Sequence, residues 1–446
     1  MTRTARILGV AGLAIALVAV GGIGLLRHVR QAPPPAAVTP EETRSLQALP
    51  VIPAGSRTNL IVNLQHRLKA VPGDWRSYAG LGLAYVQQAR VTADPTYYPK
   101  AEGVLQRSID LNGADNFDAL TGLAALAAAR HDFASALSWG EKAKAVNPYN
   151  ASIYAVIGDA QVELGRYDEA LQTFQTMIDI RPDLATYARV SYAWELQGSY
   201  QNAIRAMKLA LDAAATPIDA AWASNQLGDL YFNSGDLDLA EAFYRQGLAR
   251  DDTFVPVHAG LAKVEAARGQ FQQAIADYSW VVERLPSPEY VMALGDLYLV
   301  TGRTDLAARQ YELVHVEERL LEANGVNVDL EIALFDADHH ENLAAGLAAA
   351  QTEWGRRQNI HVADALAWEL YANGRAREAL TYSDIALHLG TQNALFFYHR
   401  GMIELSLGRK GAARLDLSRA LDINPKFSIL WADHAASTLA SLGGTL

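Results

Sequence analysis

The chain has 446 residues, half of them apolar, and a formal net charge of −11; that length suits two or three globular domains or one elongated repeat array. It contains no cysteine, which excludes a disulfide framework, a Cys-ligated zinc site, an iron–sulfur cluster, a thiol nucleophile and an acylated N-terminal Cys. Residues 1–56 hold five Arg against two Glu and leave 33 basic against 47 acidic residues beyond them; with no basic run in that acidic part, a nucleic-acid partner is not expected.

Ile7 to Leu26 is twenty uncharged residues of Ile, Leu, Val, Ala and Gly. As a helix this stretch would span about 30 Å, the thickness of the hydrocarbon core, so residues 1–31 are predicted as an uncleaved, single-pass transmembrane anchor. Arg3 and Arg6 also fit the basic region of a cleaved signal peptide, but the apolar run exceeds the roughly 7–15 residues usual there. Arg27, His28 and Arg30 follow where a small-residue cleavage site would stand, although Ala-Pro-Pro-Pro-Ala-Ala at 32–37 keeps cleavage open. Arg3, Arg6 and the terminal amine outweigh Arg27 and Arg30, which puts the N-terminus inside and the remainder of the chain on the extracytoplasmic side. Six prolines between Pro33 and Pro53 predict an extended spacer over 32–56.

From Leu60 to Leu68 the pattern is that of one amphipathic helix, ended at Val71-Pro72. A unit of about 34 residues then recurs, clearest at 151–183: Ile157-Gly158 on a first helix, Gly165 at a turn, then Tyr167, Ala170 and Phe174 on a second helix closed by Pro182. Small residues at Gly158 and Ala170 allow the two helices to approach, Tyr167 and Phe174 fill the wider gaps, and Pro182 stops the second helix.

The first full unit has Leu81, Gly82 and Tyr85, but its alanine, Ala101, comes seven residues late. The insertion at 93–99 is either a loop or an extension of both helices; Tyr97 and Tyr98 could form a contact surface, and packing at the hairpin tip is the favoured reading. Units follow at 117–150, 184–217, 221–254, 255–287 and 288–321. Between 322 and 359 the pattern weakens, with Asp336, His340 and Asn342 where an aromatic and a turn glycine are expected. It recovers at 360–393 and 394–427, and a capping helix is predicted within 428–442, with Asp433, His434 and Ser437 on its outer face.

The unit resembles the tetratricopeptide repeat, and the resemblance covers about 57–442. It implies an all-α, right-handed superhelix of about ten helical hairpins, here preceded by the transmembrane helix. No stretch of the roughly 100 residues usual for an independent domain is left over, and there is no His-Glu-x-x-His, phosphate-binding Gly-x-x-x-x-Gly-Lys-Ser/Thr or Gly-x-Ser-x-Gly. An enzyme is not expected, and no cofactor. Asp336-Ala337-Asp338-His339-His340-Glu341 invites a metal hypothesis; an acidic turn between helices with Asp338 near a cap position is the favoured alternative.

In this family the first helix of each unit lines an inner groove through its second, fifth, ninth and twelfth positions. Relatives that grip the C-terminal carboxylate of heat-shock proteins use Lys at five and Asn at nine. Here the fifth position holds Thr121, Ala155, Asn225, Ala259 and Met292, and the ninth Ala125, Asp159, Asp229, Lys263 and Asp296, so no such clamp is expected. The groove instead offers Asp159, Glu163, Asp229, Asp296 and Asp364 beside Asn225 and the aromatics Tyr192, Trp222, Phe232, Trp368, Tyr371 and Tyr398. Repeated carboxylates would attract a basic or amine-bearing protein segment, and exposed aromatics would add contact area; the competing reading makes the acids a solvated surface. The resemblance therefore implies a non-catalytic, membrane-anchored scaffold for other proteins. The alternative is a cytochrome c maturation subunit that presents apocytochrome to haem ligation, on the likeness of residues 64–72 and 81–85 to such proteins.

Overall fold

The hairpin pattern becomes helices because each start and stop is encoded locally. In the computed structural model, which describes residues 54–444, there are 22 helices and no strand among the described residues. Helix α1 (Ala54–Ala70) is followed by ten hairpins. They are α2 (Trp75–Thr92) with α3 (Tyr97–Leu111), α4 (Phe117–Ala129) with α5 (Phe133–Val146), α6 (Ala151–Glu163) with α7 (Tyr167–Ile180), α8 (Leu184–Leu196) with α9 (Tyr200–Asp212), and α10 (Pro217–Asn233) with α11 (Leu237–Arg250). Then come α12 (Val255–Ala267) with α13 (Phe271–Arg284), α14 (Pro288–Val300) with α15 (Thr304–Ala323), α16 (Asp329–His339) with α17 (Leu343–Arg356), α18 (Ile360–Ala372) with α19 (Ala376–Ala386), and α20 (Ala394–Ser406) with α21 (Lys410–Ile423); α22 (Ala432–Ser441) closes the array. All of them belong to one unit, Gln47–Leu446. The predicted span at 7–26 and most of the predicted linker lie outside the described residues. Among the described residues no helix is long and apolar enough to cross a membrane.

Side chains of Asp74, Asn116, Asp132, Asn150, Asp183, Thr216, Asp236, Asn359 and Asn393 accept a backbone N–H at the first turn of the helix that follows, satisfying donors that a helix start leaves open. Between the two helices of a hairpin, Gly165, Gly198, Gly235, Gly269, Gly302, Gly374 and Gly408 turn the chain at φ between +71° and +84°. In two units a histidine does this work: His131 at φ 58° and His340 at φ 54°, at the roughly 1–2 kcal/mol that a side chain costs in that region. Residues 322–359 therefore keep the hairpin without the glycine that would announce it.

Within a hairpin, a Cβ on Gly158 would collide with the Phe174 ring, and Tyr244, fully buried, is gripped between Gly228 of its own unit and Gly260 of the next. The insertion at 93–99 lengthens both helices and leaves only residues 93–96 as the turn. Tyr98 is buried there and the Tyr97 ring lies 5.7 Å from that of Tyr85, so these tyrosines pack the hairpin tip. First helices pack on the first helices of neighbouring units, as α2 does on α4 and α16 on α18, whereas second helices meet the next unit chiefly through its first helix. That asymmetry curves the stack with the first helices inside.

The curvature brings the chain back onto itself. His131 Nδ1 lies 2.7 Å from the Asn327 carbonyl, 196 residues on, and the Asn327 N–H donates to Arg130 O at 3.0 Å. Arg357 Nη1 donates to Glu163 Oε2 at 2.6 Å, the Ile360 N–H to Tyr167 Oη at 2.8 Å, Tyr200 Oη to Gln392 O at 3.4 Å, and Asn424 Nδ2 to Phe232 O at 2.8 Å, over separations of 192 to 194 residues. One superhelical turn thus takes between five and six units of about 34 residues, and the hairpin turns of the first superhelical turn sit on the inter-unit junctions of the second. Apolar contacts follow the same seam: Val162, Phe174 and Leu196 share a cluster with Ile360, Ala363 and Phe396.

Candidate functional site

The inner face is built from α6, α8, α10, α12, α14, α16, α18 and α20, and the acids expected to line it all have partners within the chain. Arg189 of α8 holds Asp159 of α6 through two hydrogen bonds, Nε to Oδ1 at 2.8 Å and Nη2 to Oδ2 at 2.6 Å. Asp229 accepts from Lys263 Nζ at 2.9 Å, Tyr244 Oη at 2.7 Å and Asn225 Nδ2 at 3.0 Å, and the same ammonium lies 4.5 Å from the centre of the Phe232 ring. Glu163 accepts from Arg357 and from Asn359 Nδ2, 2.9 Å away; its carboxyl is pushed up by burial against the opposing pull of Arg357.

Asp296 accepts from Tyr311 Oη at 2.9 Å and lies 3.0 Å from His339 Nε2. Burial raises Asp296 to about 7 and lowers His339 to about 4, so at neutral pH the imidazole is uncharged and the contact with Asp296 is a hydrogen bond rather than an ion pair.

Asp364, Trp368, Tyr371 and Tyr398 come together around His399. His399 Nδ1 lies 2.9 Å from Asp364 Oδ2, Trp368 stacks on the imidazole at 4.1 Å, and Tyr371 stacks on Trp368 at 4.9 Å. The Nε1–H groups of Trp368 and Trp431 both donate to Asp338 Oδ1, at 2.8 and 2.9 Å. The open contact area expected of the aromatics is not found for three of them: Trp368 is 3%, Tyr398 1% and Phe232 6% exposed. Trp431, just before α22, and His434 within it cover Tyr398, and Lys263 covers Phe232. Tyr192 and Trp222 are half-buried, and Tyr192 Oη lies 3.5 Å from His361 Nε2 across the seam. Among the predicted residues, Asn225 and Phe232 thus gather around Asp229 and Lys263, and Asp364, Trp368, Tyr371 and Tyr398 gather around His399. Asp159, Glu163 and Asp296 each have a partner of their own in Arg189, Arg357 and Tyr311.

With ten stacked hairpins and an inner face of first helices in place, the sequence comparison decides the family. A profile described as Tetratricopeptide repeat matches residues 156–217, 260–319 and 365–426, and a second one of the same description matches 223–254. The chain is a tetratricopeptide-repeat protein.

No curated protein sequence matches it. Among solved structures, a thermophilic tetratricopeptide protein of Thermus thermophilus is similar at 22% identity and TM-score 0.37, over 42% of this chain and 98% of that one. A tetratricopeptide protein of Parabacteroides merdae matches at 14% identity and TM-score 0.32, over 74% of this chain and 99% of that one. Yeast Tom70 matches at 11% identity and TM-score 0.37, over 81% and 95%.

Two inner acids of this tetratricopeptide array are absent from the expected set. Glu195, at the twelfth position of its unit, accepts among the described residues only from Asn233 Nδ2 at 3.3 Å and is raised to about 7 by burial. Glu289, at a second position, is also raised by burial, with a side-chain hydrogen bond to Tyr290 and then Lys263 pulling the other way and Asp229 and Glu331 adding to the rise. Both fall on groove positions of the repeat, so reading all four positions in every unit would have found them. The seam residues Arg357, Asn359 and Asn424 carry no such signal, because their partners are set by superhelical pitch.

The turn at 336–341 has a different construction from the one expected. Asp338 is not a cap but the acceptor for the two tryptophans; Asp336 is buried and accepts from Asn342 Nδ2 at 3.3 Å, and His339 turns to Asp296. Successive helical residues point apart, so these side chains diverge. Among the described residues no group of three or more His, Asp or Glu is placed to hold a metal ion.

Proposed function

We propose that the protein is a non-catalytic adaptor, anchored to a membrane by residues 7–26, whose inner face holds a basic or amine-bearing segment of another protein. Supporting this is the excess of acids on that face: Asp159, Glu163, Glu195, Asp229, Glu289 and Asp296 stand against Arg189, Lys263 and Arg357. Glu195 and Glu289 have no ion-pair partner among the described residues, and burial holds both carboxyls above their ordinary range. A cationic side chain placed beside them would restore the charged form that burial opposes, which makes the array selective for such a segment without a shape-specific pocket.

The test is capture by the full chain in detergent. Asn at Asp159, Asp229 and Asp296, combined with Glu195→Gln, is expected to weaken retention of basic partners in a pull-down, most at low salt; unchanged capture at low salt defeats the reading. Anchoring is tested by alkaline carbonate extraction, which leaves a spanning chain in the membrane pellet, and a reporter fused to the C-terminus reads the extracytoplasmic placement inferred from Arg3 and Arg6.

A further inference from the structure

The inner face and the seam share residues. Glu163 is at once an inner acid and the acceptor of Arg357, and Tyr192 reaches His361 from the opposite superhelical turn. Whatever separates the two turns therefore changes access to the face beside them. No hairpin contact and no junction between successive units crosses the seam, since each seam contact joins residues more than 160 positions apart. The turns can move apart with all ten hairpins intact.

The surfaces that meet are suited to parting. At Gly165, Gly198 and Gly235 the chain lies against the carbonyl oxygens of Gln358, Gly390 and Ile423; at Gly165 the contact is backbone on backbone, while the Gln392 side chain adds to it at Gly198 and the Pro425 ring at Gly235. The strongest polar contact is ionic: Arg357, 5% exposed, joins Glu163 and Glu353, and Asn359 Nδ2 adds hydrogen bonds to the carboxylate and carbonyl of Glu163 at 2.9 and 3.0 Å. Charged groups released into water regain their hydration, so a buried ion pair yields to solvent at small net cost. The Tyr244 ring, held between Gly228 and Gly260, has no such compensation. Val162 and Leu196 against Ile360 and Phe396 supply the apolar contact that returns the turns to register.

We propose that the seam is a gate, which parts laterally to admit a cationic segment to the inner face and closes beside it; the segment's identity rests on the adaptor reading above, the opening does not. Arg166 and Gln358 are exposed and flank the approach at Gly165, and the chain has no cysteine of its own. Arg166→Cys with Gln358→Cys in the full chain can therefore be bridged by a short reducible bis-maleimide. Hydrogen exchange is followed at the Asn327 and Ile360 amides, which donate across the seam, and at amides within α7 and α18. The association rate of a fluorescent lysine-rich peptide is measured in parallel. The gate predicts that the two seam amides exchange ahead of the hairpin amides, that the bridge slows them by about tenfold or more, and that peptide association slows likewise and recovers on reduction. Seam amides that exchange with the hairpins overturn the gate, as does peptide entry unchanged by the bridge, which would assign the route to the open ends. Bridge-sensitive seam exchange without peptide capture by the unbridged chain supports the opening and defeats the adaptor reading.

Discussion

Glu163 and Arg357 stand 194 residues apart in the chain and 2.6 Å apart across the seam. Their pairing turns a stack of neighbours into a closed superhelix. Arg357 also pairs with Glu353, which is 1% exposed, so removing the guanidinium leaves a buried carboxylate with only the longer contact to Arg356 Nη1, at 3.3 Å. Arg357→Ala is expected to cost about 3–5 kcal/mol in urea unfolding, and much less when Glu163 and Glu353 are already replaced by Gln. Equal costs in the two backgrounds would show that the latch is not coupled.

The turn glycines offer an internal control. Gly165 and Gly302 share the left-handed conformation, at φ +74° and +76°, but only at Gly165 would a Cβ meet the Gln358 carbonyl, whereas at Gly302 the space is open. Alanine at Gly302 should cost the backbone strain alone, about 1–2 kcal/mol. Alanine at Gly165 should cost roughly 1–3 kcal/mol more through overpacking. Matching denaturation midpoints for the two variants would mean that the seam is loose in solution.

Inside the hairpin, Gly158→Leu forces a side chain into the Phe174 ring, which is 2% exposed, and should destabilise by about 1–3 kcal/mol. Phe174→Leu in the same chain is expected to recover part of that loss. A wild-type melting curve for the single variant would place the helix contact elsewhere.

Glu369 is fully buried, and burial together with the nearby Asp336 raises it from 4.5 to about 8. A carboxyl raised on folding stabilises the native state fully below its unfolded pKa and loses that contribution as pH climbs through the folded value. Stability should therefore fall between about pH 4.5 and 8 on account of this group, with Glu195 and Asp296 acting in the same direction up to about 7. Glu369→Gln should flatten the decline, seen as a smaller drop in Tm from pH 5 to 8. A wild-type slope in that variant would remove Glu369 as its source.

The hairpins were legible in the sequence because each is fixed by contacts within about 34 residues: Gly158 against Phe174, Gly228 against Tyr244, a polar cap at the helix start. Some partners of the inner acids were within reach of the same ruler, since Lys263 lies 34 positions after Asp229 and Arg189 lies 30 after Asp159. The seam was not legible. Its register is the sum of small rotations accumulated over five to six units, and no local pattern records that sum. The enclosure of Trp368 and Tyr398 was hidden for a related reason, because it depends on where Trp431 and His434 of the closing segment come to rest.

Arrays of this kind ordinarily tolerate gain or loss of a whole repeat, because each unit answers only to its neighbours. Between Gly165 and Gln358 that freedom is gone. Duplicating or deleting one unit there would carry Arg357 and Asn359 past Glu163 by a full hairpin and set Gly165 against a different junction. The seam thus depends on the number of repeats it encloses, and recombination that leaves every hairpin sound would still cost the contacts of Glu163 with Arg357 and Asn359.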